Sequence, residues 1–218
     1  KNDFMRKKER VEKILDWFRE NMPVAESELD FKNPYQLIVA VILSAQCTDK
    51  RVNIVTPSLF ERFPTVQSMA EATQEEIYSY IKSISYPNSK SRNLKKMAER
   101  LHEVYHDEIP DEPNELQTLA GVGRKTAMVI LAVLYKRAVM PVDTHVHRVS
   151  ARIGLTLRAK NVLETERQLL SNLKKAEDTA LLHHQLILLG RYICKARKPM
   201  CEQCTLIEIC KYFKSKNK

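Results

Sequence analysis

The sequence predicts an all-α fold, and three observations lead there. Only four of the 218 residues are glycine, while Leu, Ile, Lys and Glu are abundant, a balance that favours helix over sheet. Apolar residues recur at three- and four-residue spacing along most of the chain, the period of a helix with one face in a core. Helix-start chemistry precedes several of these runs, as in Asn33-Pro34, Thr73 with Glu76 and Asn161 with Glu164. Each offers an acceptor to the N–H groups that a helix start leaves unpaired.

Taken in order, Val11, Ile14, Leu15, Trp17 and Phe18 predict an amphipathic helix that stops at Pro23. After Asn33-Pro34, the residues Tyr35, Leu37, Ile38, Val41, Ile42 and Ala45 are apolar nearly all round, so this helix belongs in a core. It runs into Ser44-Ala45-Gln46-Cys47-Thr48-Asp49, which reads either as a simple helix end or as polar side chains held toward a ligand. Helices follow around Val52–Phe60, Val66–Ala70 and Gln74–Ile81. Ser85-Tyr86-Pro87-Asn88 is turn chemistry with a pattern-breaking proline. Leu94, Met97, Ala98, Leu101, Val104 and Tyr105 define the next helix, and Ile109 to Pro113 link it to a short helical stretch. Further on, Val146, Val149 and Ile153 mark a helix closed by Gly154, and Leu181–Leu189 another closed by Gly190. No internal repeat or low-complexity tract interrupts this order.

The formal net charge is +9, which favours a polyanionic partner through counterion release. The excess is concentrated near the end, where residues 191–218 hold eight Lys or Arg against two Glu. No apolar run approaches the roughly 20 residues that span a bilayer, so no membrane partner is expected. No targeting segment is visible in a chain that starts at Lys1, and a trimmed organellar or nuclear segment stays open beside the expected cytoplasmic location.

Half of the glycine falls in one bend, Leu119-Ala120-Gly121-Val122-Gly123-Arg124-Lys125-Thr126. Both glycines are expected to permit a special backbone shape there. Ala127, Ile130, Leu131 and Leu134 then repeat at helical spacing, so Arg124, Lys125 and Thr126 open a helix whose N–H groups can hold an anion. The same bend also fits a plain helix–turn–helix corner whose glycines serve packing. Asp143 follows an extended Pro-Val pair and precedes a helical pattern, which makes it an N-cap whose carboxylate is kept ionised.

Four of the five cysteines crowd into 17 residues as Cys194-x6-Cys201-x2-Cys204-x5-Cys210. Four thiolates at this spacing can close on a tetrahedral zinc or on an iron–sulfur cluster. A single CxxC with lone cysteines on either side leans toward iron–sulfur. The first loop holds Lys195, Arg197 and Lys198, a way to present fixed charge to a phosphate backbone. Cys47 stands apart as a packed thiol.

On these residues the chain resembles the helix–hairpin–helix DNA glycosylases, most closely the endonuclease III family of glycosylase/lyases. The resemblance is carried by Leu43 to Asp49, Gly121 to Ala127, Val142-Asp143-Thr144-His145-Val146, His183-His184 through Gly190-Arg191-Tyr192, and the cysteine spacing. It implies an all-α, two-lobed helix–hairpin–helix glycosylase fold with a C-terminal iron–sulfur cluster loop. A six-helix domain would occupy 28–135, with the hairpin near 113–132. A discontinuous domain of 1–27 plus 136–218 would carry a 4Fe-4S cluster on Cys194, Cys201, Cys204 and Cys210, and the hairpin would have room for a monovalent cation.

The resemblance further implies a monomeric DNA N-glycosylase and abasic-site lyase of base excision repair, acting on oxidised pyrimidines in duplex DNA. Lys125 matches the family's nucleophile and Asp143 its second catalytic residue. The lysine must be neutral to attack, a state that burial, the helix N-terminus and Arg124 would favour. Gln46 matches a residue that fills the gap left by a flipped nucleotide. Tyr86 takes the place of a leucine wedge, because Ser85-Tyr86-Pro87-Asn88 stands where Gly-Leu-Tyr-Asn is usual. Ala120 departs from the usual hairpin proline. Gly121, Val122, Gly123, Arg124 and Thr126 would hold phosphate, with Thr144, His145, Lys195, Arg197 and Lys198 as further DNA contacts. His147, His183 and His184 are read as structural. An adenine-mismatch glycosylase is the alternative within the superfamily, where a hydroxyl residue replaces Lys125. A non-catalytic, metal-stapled DNA-binding protein is the alternative outside it.

Overall fold

The computed structural model describes residues 5–173 and 177–216, and regular structure among them is helical throughout. Two compact units form, one from Ser27–Tyr135 and the other from the described residues that flank it, up to Glu26 and from Lys136 onward. The first helix, α1 (Lys7–Asn21), belongs to the flanking unit.

The central unit begins with α2 (Pro34–Ser44). The Asn33 side chain accepts from the Gln36 N–H and Pro34 sits at the first helical position, where a missing N–H costs nothing. Leu37, Ile38, Val39, Ala40 and Leu43 have no exposed surface. At about 1.5–3 kcal/mol for each large apolar side chain removed from water, α2 contributes strongly to this unit's cohesion. Around it lie α3 (Asp49–Arg62), α4 (Val66–Glu71), α5 (Gln74–Ile81), α6 (Pro87–Tyr105), α7 (Pro113–Leu116) and α8 (Arg124–Leu134), with α3, α6 and α8 packed directly on α2. The short helix expected ahead of the glycine bend is the single turn α7. Thr73 and Glu76 form a reciprocal capping box at the start of α5.

The expected turn at Ser85 to Asn88 is shorter than its composition suggested. Pro87 begins α6, seven residues ahead of the apolar pattern at Leu94. The proline starts the helix instead of breaking it, because its fixed φ suits the first helical position.

In the flanking unit, α9 (Thr144–Ile153), α10 (Val162–Asn172) and α11 (Glu177–Tyr192) are followed by a 3-10 turn at Cys201–Gln203 and by α12 (Lys211–Lys216). Val11, Ile14 and Phe18 of α1 share one core with Val146, Val149, Ile153, Leu182, Leu186 and Leu189. Two polar ties add to that burial. Gln185 Nε2 donates to the carbonyls of Phe18 and Met22, and Trp17 Nε1 donates to Thr205 Oγ1.

Gly154 ends α9 in the left-handed region, at φ 93°, as its position suggested. Gly190 does not end α11, which continues to Tyr192. A Cβ at Gly190 would stand 3.0 Å from both His145 Nδ1 and Val149 Cγ2, so this glycine lets α9 and α11 approach. Gly190→Ala gains about 1 kcal/mol of helix propensity but meets backbone-proximal atoms of α9, an overpacking cost of about 1–3 kcal/mol. A net loss of stability is therefore expected in urea unfolding, and an unchanged or raised midpoint would contradict the close-approach role.

Candidate active site and cysteine centre

The hairpin is built by two short helix ends. After α7, the N–H groups of Gln117, Thr118 and Leu119 fold back on the carbonyls of Pro113, Glu115 and Leu116, and the Val122 N–H closes on the Leu119 carbonyl at 3.0 Å. Gly121 adopts φ 83°, and a Cβ there would lie 3.1 Å from Asn93 Cβ and 3.2 Å from Ile42 Cγ2. Both its conformation and its surroundings therefore require glycine. Gly123 is different from the expectation: its φ of −85° and ψ of 178° are ordinary extended backbone. A Cβ at Gly123 would meet nothing within 4 Å. Its missing side chain serves no packing in this unit and keeps the approach to α8 open.

No side chain caps the first turn of α8, whose N-cap is Gly123. That turn therefore presents backbone N–H groups and the positive end of the helix dipole to an outside anion. Arg124 and Lys125 occupy its first two positions and are exposed, Thr126 is half-buried, and Val122 is buried beneath them. Burial was expected of Lys125, and the side chain is exposed instead.

Asp143 caps α9, and its Oδ1 accepts from the Val146 N–H at 2.8 Å. Thr144 is exposed at the first helical position, while His145 turns inward. The His145 ring lies against Gly190, and its Nδ1 is 3.2 Å from Arg148 Nη2. Burial pushes the imidazole below its usual range, with Asp143 opposing and Arg148 adding to the shift. Packing against Gly190 accounts for the inward placement of the His145 ring. His147 Nδ1 meets Thr165 Oγ1 at 2.7 Å, and buried His183 Nδ1 meets the Pro141 carbonyl at 2.8 Å. His183 is a core hydrogen-bonding group, and half-buried His147 links α9 to α10.

Gln46 and Tyr86 are exposed, and both hold left-handed backbone, with φ 54° and 56°. A non-glycine residue there costs about 1–2 kcal/mol. Their turns touch, because Ser85 Oγ donates to the Gln46 carbonyl at 2.6 Å. Lys90 lies behind them, buried, its ammonium bonded to the Leu43 and Ala45 carbonyls at 2.8 and 2.6 Å. Burial pushes that ammonium below the ordinary lysine range. The sequence reading passed over Lys90. Its signal was position, since it occupies the place of an apolar residue in the Leu94, Met97, Leu101 stripe.

The four clustered cysteines form no disulfide and all line one small apolar cavity walled by Ile153, Leu189, Pro199, Ile207 and Phe213. Burial raises the Cys204 and Cys210 thiols, backbone N–H bonds oppose the shift, and the neighbouring cysteines add to it. Among the described residues, no three or more His, Cys, Asp or Glu side chains converge on a single-ion position. Arg152 braces the first loop by donating to the carbonyls of Lys195 and Ala196 at 2.7 and 2.9 Å and to Cys194 Sγ at 3.6 Å, and it lies over the Tyr212 ring. With those carbonyls held inward, Lys195, Arg197 and Lys198 are exposed. Arg148 ties the same region to α9 through the Cys194 and Gly190 carbonyls. Neither arginine was picked out from the sequence.

Comparison with known proteins gives a consistent result. Residues 39–175 match the HhH-GPD superfamily base excision DNA repair protein family. Endonuclease III of Bacillus subtilis is 41% identical over 208 residues, covering 95% of this chain and 94% of that protein. Endonuclease III of Rickettsia felis is 45% identical over 205 residues, covering 94% and 95%. A trapped endonuclease III–DNA covalent intermediate superimposes with a TM-score of 0.90 at 39% identity, covering 98% of this chain and all of that one.

The cap at Asp143 separates two contributions to α9. Asp143→Ala removes both acceptor and charge and is expected to cost about 1.5 kcal/mol in urea unfolding. Asp143→Asn keeps an acceptor and should cost about 0.5 kcal/mol, the charge–dipole part alone. Equal losses would show that the Val146 bond is not what the carboxyl contributes.

Proposed function

The chain belongs to the endonuclease III family of the HhH-GPD superfamily, and from that premise we propose that Lys125 is the nucleophile and Asp143 the assisting carboxylate on damaged DNA. The protein is a base excision repair DNA glycosylase and abasic-site lyase, and its partner is damaged duplex DNA. Oxidised pyrimidines are the lesions we assign to it.

One observation carries the assignment of Lys125. It is an exposed lysine at the second position of a helix whose first turn has no side-chain cap and whose preceding glycine leaves the approach open. A phosphate held by the first-turn N–H groups places a nucleotide beside the amine. Lys125 Nζ attacks C1′ with its lone pair, and the base leaves with the electrons of the glycosidic bond and gains a proton. The sugar ring then opens to a protonated Schiff base. Loss of a C2′ proton sends electrons toward the iminium and expels the 3′ phosphate, which is β-elimination. Asp143 already accepts one N–H at Oδ1, so its carboxyl is held in place. It offsets the positive charge that grows on the sugar, and a carboxylate can carry the protons exchanged.

Cys194, Cys201, Cys204 and Cys210 fit a 4Fe-4S cluster as ligands. They supply four thiol donors around one apolar cavity, and a cubane takes one thiolate per iron. When bound, the cluster would staple the loop and offer a one-electron redox couple. The chain's own part is to hold Lys195, Arg197 and Lys198 outward for the DNA backbone.

Cleavage of a duplex with one oxidised pyrimidine tests the assignment. Lys125→Gln should lower turnover by more than about a thousandfold while retaining most DNA affinity. Asp143→Asn should slow base release with little change in binding. Retained cleavage by Lys125→Gln would overturn the nucleophile assignment. The purified protein should be yellow-brown, with about four iron and four sulfide per chain, whereas colourless protein holding one zinc would overturn the cluster.

A further inference from the structure

We propose that Lys90, acting through Ser85, is a positioning residue that locks the Gln46 and Tyr86 turns together, so that both side chains meet a duplex as one prearranged pair. The proposal rests on the reading of Gln46 and Tyr86 as the residues that enter the gap left by a flipped nucleotide.

A buried ammonium is costly unless each of its three donors finds an acceptor. Lys90 is 6% exposed, and three acceptors surround its Nζ: the Leu43 carbonyl at 2.8 Å, the Ala45 carbonyl at 2.6 Å and Ser85 Oγ at 3.4 Å. The two carbonyls belong to the C-terminal end of α2, where helix carbonyls lack intrahelical partners and the dipole is negative. Lys90 therefore caps α2 from the side of α6. Ser85 then passes the connection on, accepting from Lys90 and donating its hydroxyl to the Gln46 carbonyl at 2.6 Å.

Gln46 comes directly after the capped end of α2, and Tyr86 directly after Ser85. Each takes a left-handed φ that non-glycine residues avoid, and Tyr86 also precedes a proline, which narrows its choices further. Two strained residues 40 positions apart are thus held by one ammonium and one hydroxyl. Such strain persists only where the surroundings over-determine it. The side chains themselves project into solvent, Tyr86 being 63% exposed. The backbone is fixed before DNA arrives, so less freedom is lost when the side chains enter the helix.

The test uses stopped-flow fluorescence of 2-aminopurine placed opposite the damaged nucleotide in a duplex. Ser85→Ala removes only the tie, Lys90→Met removes all three donors at similar volume, and Lys90→Arg keeps the charge. Ser85→Ala and Lys90→Met should slow the fluorescence rise by about tenfold, equivalent to one decade in rate, with affinity for undamaged duplex unchanged and partial rescue by Lys90→Arg. Ser85→Ala should add nothing in a Gln46→Ala background. A wild-type fluorescence rise in Ser85→Ala would overturn the proposal, and this variant carries the test if Lys90→Met does not fold. If Gln46→Ala and Tyr86→Ala leave the rise unchanged, the insertion reading itself fails. If these two slow it and Ser85→Ala does not, only the locking role fails. Equal loss of undamaged-duplex affinity in Ser85→Ala would also overturn it, by showing a general structural defect.

Discussion

An α-helix leaves its first N–H groups and its last carbonyls without partners inside the helix, and in this protein the chemistry gathers at those ends. The start of α8 has no side-chain cap and carries Arg124 and Lys125. The start of α9 is capped by Asp143, so the carboxylate assigned to catalysis also satisfies backbone. The end of α2 is satisfied by Lys90, with Gln46 as the next residue. The start of α6 follows Tyr86. Where a side chain completes the cap, as at the start of α9 and the end of α2, the residue is fixed in place; the starts of α6 and α8 have no side-chain cap, and α6 begins on Pro87, which has no N–H to satisfy.

The contrast between the hairpin glycines follows the same logic. Gly121 is demanded from inside, by its left-handed φ and by Asn93 and Ile42 close behind it. Nothing inside demands Gly123, since a Cβ there would point into open space. A residue kept small without an internal reason is consistent with the proposed approach of a phosphate backbone to the first turn of α8. The cysteine loop obeys a related rule. Arg152 holds the Lys195 and Ala196 carbonyls, while the Lys195 side chain and the neighbouring Arg197 and Lys198 side chains are exposed.

Local chemistry made much of this legible in the sequence. Asn33-Pro34, Thr73 with Glu76, Asn161 with Glu164 and Asp143 act within three residues of themselves, and each forms the cap its composition suggested. The buried character of α2 was equally plain from an apolar surface with no polar face. Pro87 and Gly190 were misread because each residue has two uses, and only tertiary packing decides between starting or breaking a helix, or between ending one and admitting a neighbour. Lys90, Arg148 and Arg152 were invisible for another reason. Their long side chains bond carbonyls 42 to 47 residues away, and such reach leaves no periodic trace. Lys125 was picked out as a candidate by motif, while its exposure was not foreseen, because a helix's first turn can face either core or solvent.

The claim on which the rest turns is that the exposed amine at the second position of α8 forms a covalent bond with the sugar. Borohydride reduction during reaction with an abasic duplex, followed by digestion and peptide mapping by mass, tests it most directly. The reduced adduct should reside on Lys125, in the peptide that follows Gly123, and should be lost in Lys125→Gln. An adduct mapped to another lysine, or none formed while the strand is still cleaved, would contradict it.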